Sequence, residues 1–186
     1  MEINIADLLE KYPFLLYRNY KDNPIYEKGT EEYYNHNYWT AWDGNGWESI
    51  WKDFLLKIMK IYDESNDIEF KDNFRILDTK EKYGSLRVDL YPHNDDIFKN
   101  EIAVELVSSY TCYVCGKQPR NSKGTRIIWT SKGYILPFCK NCAKNDLGIY
   151  NKNWKKYFNR EVNTKGFRTE SYKDGKTTIH EYKELN

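Results

Sequence analysis

The chain has 186 residues, of which 31% are charged and 17% aromatic, and its formal net charge is +1 at pH 7. This composition excludes a disordered or fibrous chain and predicts one domain with a hydrophobic core, or one domain with an appendage. No run approaches the roughly 20 apolar residues of a membrane span, and residues 1–14 lack the basic and then apolar pattern of a signal peptide. We therefore expect a soluble, cytoplasmic protein with no membrane contact.

The small net charge conceals two halves of opposite sign. Residues 1–110 contain 13 Lys and Arg against 22 Asp and Glu, a net charge of −9. Residues 111–186 contain 16 basic and 6 acidic residues, a net charge of +10. This asymmetry predicts two surfaces with different partners, although simple attraction between the two halves explains it equally well.

The N-terminal segment, residues 1–20, is predicted to form a short amphipathic helix that Asn4 caps and Pro13 ends. Residues 21–46 are rich in Asn, Gly and Tyr and predict an irregular loop.

The strongest helical pattern lies in residues 47–62. Asn45 is its predicted cap, and Glu48 three residues later completes a capping box. Aromatic side chains at helical spacing are typical of a core rather than of a binding site. The apolar stripe consists of Trp47, Ile50, Trp51, Phe54, Leu55, Ile58, Met59 and Tyr62.

The period of the pattern then changes to that of a β-ribbon. Apolar and charged residues alternate over 86–90, which predicts a half-buried strand, and residues 74–77 are its predicted antiparallel partner. Between them, Gly84 is predicted to adopt a positive φ and Arg87 to pair with a carboxylate. A second helix follows over 96–110, with Asn94 or Asp95 as its cap.

Two Cys-x-x-Cys pairs follow, separated by 23 residues, and they hold the only cysteines of the chain. In a reducing compartment this spacing predicts a zinc site rather than disulfides, because each pair forms a turn that brings two thiolates to one ion. Gly116 suits a zinc knuckle, residues 131–133 suit a hairpin turn, and a short helix follows the second pair, an order that resembles a treble clef. The predicted ligands are Cys112, Cys115, Cys139 and Cys142.

Four sulfur ligands leave no open position for water or substrate, so the predicted zinc is structural and the protein is not an enzyme. A nuclease of the His-metal finger type would need a general-base histidine on the hairpin, where this chain has none. Residues 42–47 could bind a ligand by stacking and residues 81–87 could form a functional loop. We favour structural roles for both, as a glycine-rich start of a helix and as a turn into a strand.

The C-terminal region combines aromatic and basic side chains in a predicted helical turn, followed by a β-hairpin over 167–182. Stacking surfaces beside cations are typical of nucleic-acid binding, although the aromatic residues could equally pack on the rest of the protein. The candidate residues are Trp154, Lys155, Lys156, Tyr157, Phe158 and Arg160.

The predicted fold class is α+β, with a small antiparallel sheet, amphipathic helices, a treble-clef-like zinc module with four cysteine ligands and a C-terminal β-hairpin. The expected divisions are an acidic α+β body (1–110), the zinc module packed on it (111–148) and a basic aromatic extension (149–186).

Three motifs in order resemble a widespread family of small phage and prophage proteins. That family has a Gly-x-Gly-Trp segment, a Glu-Lys-aromatic-Gly-x-Leu-Arg segment and two cysteine pairs, and the resemblance covers residues 39–145. It implies a phage origin and a zinc fold, and it supplies no catalytic residues. The matching residues before the cysteines are Gly44, Gly46, Trp47, Glu81, Lys82, Tyr83, Gly84, Leu86 and Arg87.

Together these features lead to the hypothesis of a counter-defence protein, similar to an anti-CRISPR inhibitor, that acts in a bacterial host cell by direct contact with a host nuclease. The acidic half would occupy a basic nucleic-acid channel. The alternative is a zinc-stabilised DNA- or RNA-binding accessory protein that acts through the basic C-terminal region.

Overall fold

The computed structural model describes residues 4–19, 21–120, 122, 126–131, 136–143, 145, 157–162, 167–173 and 176–182. Its fold is α+β, as the sequence predicts. None of the helices in these ranges combines the length and the apolar character needed to cross a membrane. The helices are α1 (Ile5–Lys11), α2 (Glu31–Asn35), α3 (Glu48–Glu64), α4 (Ile68–Asn73) and α5 (Asp95–Ser109). The strands are β1 (Arg75–Lys82), β2 (Ser85–Tyr91), β3 (Arg126–Ser131), β4 (Pro137–Phe138), β5 (Tyr157–Val162), β6 (Phe167–Lys173) and β7 (Lys176–Tyr182).

The predicted N-terminal helix is present as α1 but is shorter than residues 1–20. Asn4 Oδ1 accepts a hydrogen bond from the Ala6 backbone N–H at 2.9 Å and caps it, as predicted. Pro13 begins a 3₁₀ turn after the helix. The predicted loop over 21–46 is mostly turns, but it also contains the short helix α2, which the Thr30 side chain caps.

Helix α3 buries most of the predicted apolar stripe, with Ile50 and Tyr62 partly buried, but its N-terminus differs from the predicted capping box. Asn45 Oδ1 accepts from the Trp47 N–H at 2.8 Å, and Glu48 Oε2 accepts from the Gly44 N–H at 3.0 Å rather than from Asn45. The helix begins at Glu48, so this carboxylate stands at the first helical position and not at the third. The fully or nearly fully buried residues of α3 are Trp51, Phe54, Leu55, Ile58 and Met59.

The core is aromatic, and two of its tryptophans donate indole N–H hydrogen bonds inside it. Trp51 Nε1 donates to the Tyr38 carbonyl at 2.6 Å, and Trp42 Nε1 donates to Thr79 Oγ1 at 2.9 Å. Because a buried donor without an acceptor would be costly, these bonds allow large indoles inside the core. Phe14 and Phe74 add an edge-to-face contact with ring centroids 4.9 Å apart.

Strands β1 and β2 form the predicted antiparallel ribbon, which continues through a two-residue turn at Tyr83 and Gly84. Gly84 has φ of 83°, as predicted, and the Arg87 guanidinium pairs with Glu105 of α5 at 2.7 Å, also as predicted. Leu86 is fully buried. The ribbon therefore packs one face on α5.

A buried hydrogen bond joins α5 to this ribbon. Asn94 caps the helix, as predicted, through bonds from the Asp96 and Ile97 N–H groups. Near the other end of α5, Ser108 is buried, and its Oγ accepts from the Leu86 backbone N–H at 2.8 Å. The serine hydroxyl thus satisfies an amide that lies inside the core.

The C-terminal strands form two further groups. Strand β3 lies between β4 and β5 in an antiparallel sheet, and β6 pairs with β7 as the predicted hairpin. The predicted helical turn around residues 154–158 is wrong for its last two residues, because Tyr157 and Phe158 belong to β5 and pair with β3. At these two residues, pairing with β3 overrides the weak helical pattern of the sequence.

We predict that Ser108→Ala lowers the free energy of unfolding by about 1–3 kcal/mol, because it leaves the Leu86 N–H buried without an acceptor. Ser109→Ala is the matched control, since Ser109 Oγ bonds to the Leu106 carbonyl of its own helix. Chemical denaturation of both variants measures the difference. Equal stability of the two variants would contradict the assigned role of Ser108.

Candidate metal centre

The structure brings the four predicted ligands together. Their sulfur atoms all lie within 4.8 Å of one another, and Cys115 Sγ and Cys139 Sγ are 3.7 Å apart. A metal–sulfur bond of about 2.3 Å gives a tetrahedron with edges of about 3.8 Å, whereas a disulfide would need about 2 Å. The arrangement therefore fits a metal ion held by four thiolates. It is the only such group within the part of the chain that the structure describes: Cys112, Cys115, Cys139 and Cys142.

The first cysteine pair lies in a knuckle. The Cys112 N–H donates to the Lys117 carbonyl at 2.8 Å, and the Gly116 N–H donates to the Cys112 carbonyl at 2.9 Å. Gly116 has φ of 70°, a conformation that glycine adopts without steric cost. This turn places Cys112 and Cys115 on the same side of the backbone loop.

The second pair lies where β4 leads into a helical turn over 140–143. The Ala143 N–H donates to the Cys139 carbonyl at 2.8 Å, and the Cys142 N–H reaches Cys139 Sγ at 3.5 Å. The Tyr113 N–H donates to the Pro137 carbonyl at 2.8 Å and so joins the knuckle to β4. Backbone hydrogen bonds thus bring the two pairs together.

The protein environment separates the thiol pKa values. Burial raises the pKa of Cys112, and burial with hydrogen-bond donation to the neighbouring sulfurs raises the pKa of Cys142. Burial also acts to raise the pKa of Cys139, but hydrogen bonds from the Cys142 N–H and the adjacent thiols outweigh it and lower that pKa. A metal must displace the remaining protons, so its affinity falls as the pH falls.

Gly46 connects the body to this centre by a close approach of two backbones. Its N–H donates to the Tyr113 carbonyl. A Cβ atom at Gly46 would overlap the Cys112 carbonyl oxygen and the Gly116 amide nitrogen, and would lie 2.9 Å from the Cys115 nitrogen. All three are backbone atoms of the knuckle, so a larger residue cannot be accommodated by a side-chain movement.

Trp47 extends the same connection into the core. The residue is fully buried, and its Nε1 donates to the Thr111 carbonyl at 3.1 Å. Its ring meets Tyr113 edge to face, with centroids 5.1 Å apart. The sequence predicts residues 42–47 as the start of a helix, with ligand stacking as the alternative, so this contact with the knuckle was missed. The one available signal was the order of the Gly-x-Gly-Trp and cysteine motifs, which gives no distance.

Two lysines lie near one of the four cysteines, Cys139. Lys117 and Lys140 line a shallow depression with Gln118, Asn141 and Cys139. Four thiolates around one divalent ion would carry a net negative charge. The positive charge of the two lysines would offset part of it.

The described histidine side chains have neighbours away from this centre. His93 pairs with Glu101 at 3.2 Å, and the His36 ring lies 5.5 Å from that of Tyr26. Neither histidine belongs to the four-sulfur group.

The predicted nucleic-acid residues are only partly covered. Trp154, Lys155 and Lys156 lie outside the described residues. Tyr157 and Arg160 lie in β5, where their backbones pair with residues 131 and 128 of β3. Nucleic-acid binding by this region stays a prediction.

Fold and site together define an α+β protein with a four-cysteine centre that can hold a metal. Comparison of the chain with protein-family models, with curated proteins and with solved structures finds no match. The resemblance to phage proteins therefore stays a prediction.

We predict that Gly46→Ala destabilises the protein by about 3 kcal/mol, because the methyl group meets backbone atoms on the knuckle. Gly44→Ala is the control, since Gly44 has φ of 78° but open space around it, and its cost should be only about 1–2 kcal/mol. Thermal and chemical denaturation measure both. A Gly46→Ala protein as stable as the Gly44→Ala protein would contradict the close approach.

Loss of one ligand should remove the metal and the structure that depends on it. Cys112→Ser and Cys139→Ser are each expected to lower bound metal from about one equivalent to near zero and to expose residues 111–148 to protease, because ligand loss is a loss of folding free energy. Elemental analysis, limited proteolysis and melting temperature test this. Chelator-treated wild type should give the same cleavage pattern, and an unchanged melting temperature in the variants would refute a structural metal.

Proposed function

We propose that the chain is a zinc-stabilised, non-catalytic binding protein that blocks a host nuclease by direct contact, in the manner of an anti-CRISPR inhibitor. Its site of action would be the cytoplasm of a bacterial host. The phage origin in this proposal comes from the motif resemblance alone.

Zinc is the proposed metal because the donor set consists of four thiolates in a compact arrangement. Soft sulfur ligands favour zinc over magnesium or calcium, and zinc takes four of them in a tetrahedron. Such a site has no position left for water or substrate, so the metal would stabilise the fold and perform no reaction.

The excess of exposed negative charge on the body carries the inhibitor proposal. Many of its cations lie beside carboxylates: Lys11, Lys52, Lys60, Lys80, Arg87 and Lys99 each pair with one, and Arg18 and Arg75 share Asp22. Many other carboxylates remain exposed on the described part of the body. They include Asp7, Glu10, Glu27, Glu32, Asp53, Glu69, Asp72, Asp89 and Asp95.

A negative surface fits a partner whose groove normally binds nucleic acid. Such a groove is lined by Lys and Arg, so carboxylates can occupy the places of phosphates. Complementary charge also speeds association, and salt should weaken the complex through this on-rate.

The test begins with a tagged pull-down from the bacterial host, with and without nuclease treatment. We expect to recover one protein, a nuclease, in a near-stoichiometric amount. It should remain bound after the treatment. The isolated nuclease is then assayed for DNA cleavage and for binding to charge variants. Asp53→Asn, Asp89→Asn and Asp95→Asn together, all exposed and outside α4, should weaken binding at least about tenfold, mainly through slower association.

Lys155→Gln, Lys156→Gln and Arg160→Gln together form the matched control, because they remove the same number of charges from the basic region. They should leave nuclease binding unchanged. Recovery of nucleic acid alone, with a loss of binding only in the basic set, would replace the inhibitor by the DNA- or RNA-binding alternative.

A further inference from the structure

The turn between β1 and β2 holds a tyrosine in a conformation that disfavours it. Tyr83 has φ of 55° and Gly84 has φ of 83°, the two positive values of a tight hairpin turn. Asn-Gly or Gly-Gly suits such a turn, whereas a bulky side chain at positive φ is strained. Local folding requirements therefore do not explain a tyrosine at this position.

Packing does not explain it either. Tyr83 is 71% exposed, and it belongs to neither of the buried clusters in the described structure. Its ring lies near the Lys82 ammonium, which is 5.8 Å from the ring centroid. A strained aromatic residue that contributes nothing to the core is a candidate for a role in binding.

The turn is held in shape without the tyrosine side chain. Glu81 Oε1 accepts from the Gly84 N–H at 2.7 Å, and Ser85 Oγ donates to the Lys82 carbonyl at 2.9 Å. Leu86, next along the chain, is fully buried against the core. The Tyr83 ring is thus presented by a fixed support, which lowers the entropy cost of binding.

We propose that Tyr83 is the anchor by which this protein binds another protein, its ring entering an apolar pocket beside a basic groove. Tyrosine is among the residues that contribute most to protein interfaces, because it buries a large ring at a small entropy cost. The basic groove follows from the negative body, so this inference rests on the proposed function.

The surroundings of Tyr83 favour a protein over a nucleic acid. Two nearby cations are neutralised, since Lys80 pairs with Asp78 and Arg87 pairs with Glu105. Lys82 remains, and one lysine does not form the row of cations that follows a phosphate backbone. The net charge of −9 over residues 1–110 would also repel phosphates.

The first experiment places the photoreactive amino acid benzoylphenylalanine at position 83 of the full chain, and in a separate protein at position 68. Ile68 is the control because it is 75% exposed and lies in α4, which adjoins the start of β1, whereas the turn follows its end. Irradiation in host lysate, with and without nuclease treatment, should give one protein adduct at position 83 in both, and none at position 68.

Competition then tests the side chain itself. Unlabelled wild type and Ile68→Ala should prevent the adduct at equal concentrations, whereas Tyr83→Asn should need at least about tenfold more protein. Tyr83→Asn should keep or raise the melting temperature, because asparagine tolerates positive φ. Weaker competition from a well-folded variant is thus due to the lost ring.

Several results would overturn the anchor: no adduct at position 83, an adduct to nucleic acid, or a Tyr83→Asn protein that competes as well as wild type. The proposed function fails separately. If the adduct protein is not a nuclease, the anchor stands and the inhibitor role falls. If a nuclease is retained in the pull-down and Tyr83→Asn competes fully, the inhibitor role stands and the anchor falls.

Discussion

The structure depends on the contact between the Gly46 backbone and the cysteine knuckle. At this point the start of α3 and the metal-binding turn approach so closely that even a methyl group would overlap backbone atoms. The Gly46 N–H bonds to the Tyr113 carbonyl, and the adjacent Trp47 indole bonds to the Thr111 carbonyl. Thr111 and Tyr113 lie on either side of Cys112. The core and the four-cysteine centre are therefore parts of one packed unit.

A second connection runs through α5. This helix ends two residues before Thr111, and its Ser108 hydroxyl accepts the buried N–H of Leu86 in β2. The Gly-x-Gly-Trp segment, the β1–β2 turn segment and the first cysteine pair therefore adjoin the same helix and knuckle. Together these three segments hold the four-cysteine group against the body.

Side-chain hydrogen-bonding requirements are met almost throughout the described interior, whereas the surface contains a residue in a disfavoured backbone conformation. Among the described residues, Arg18 Nε is the one buried side-chain nitrogen or oxygen without a hydrogen-bond partner. The surface, in contrast, keeps a strained exposed tyrosine at the β1–β2 turn and many exposed carboxylates. Since neither feature serves the core, both favour a role in contact with a partner.

The sequence by itself determined the elements with a strong period and the four cysteines that can hold a metal. The α3 stripe, the β1–β2 ribbon, the Asn94 cap and the four cysteines follow from spacing, because side-chain direction repeats regularly in helices and strands. Only the tertiary structure decided that Gly46 faces the knuckle, that Tyr157 joins a strand rather than a helical turn, and that Ser108 satisfies Leu86. These contacts join residues far apart in the chain, and local spacing contains no information about such distances.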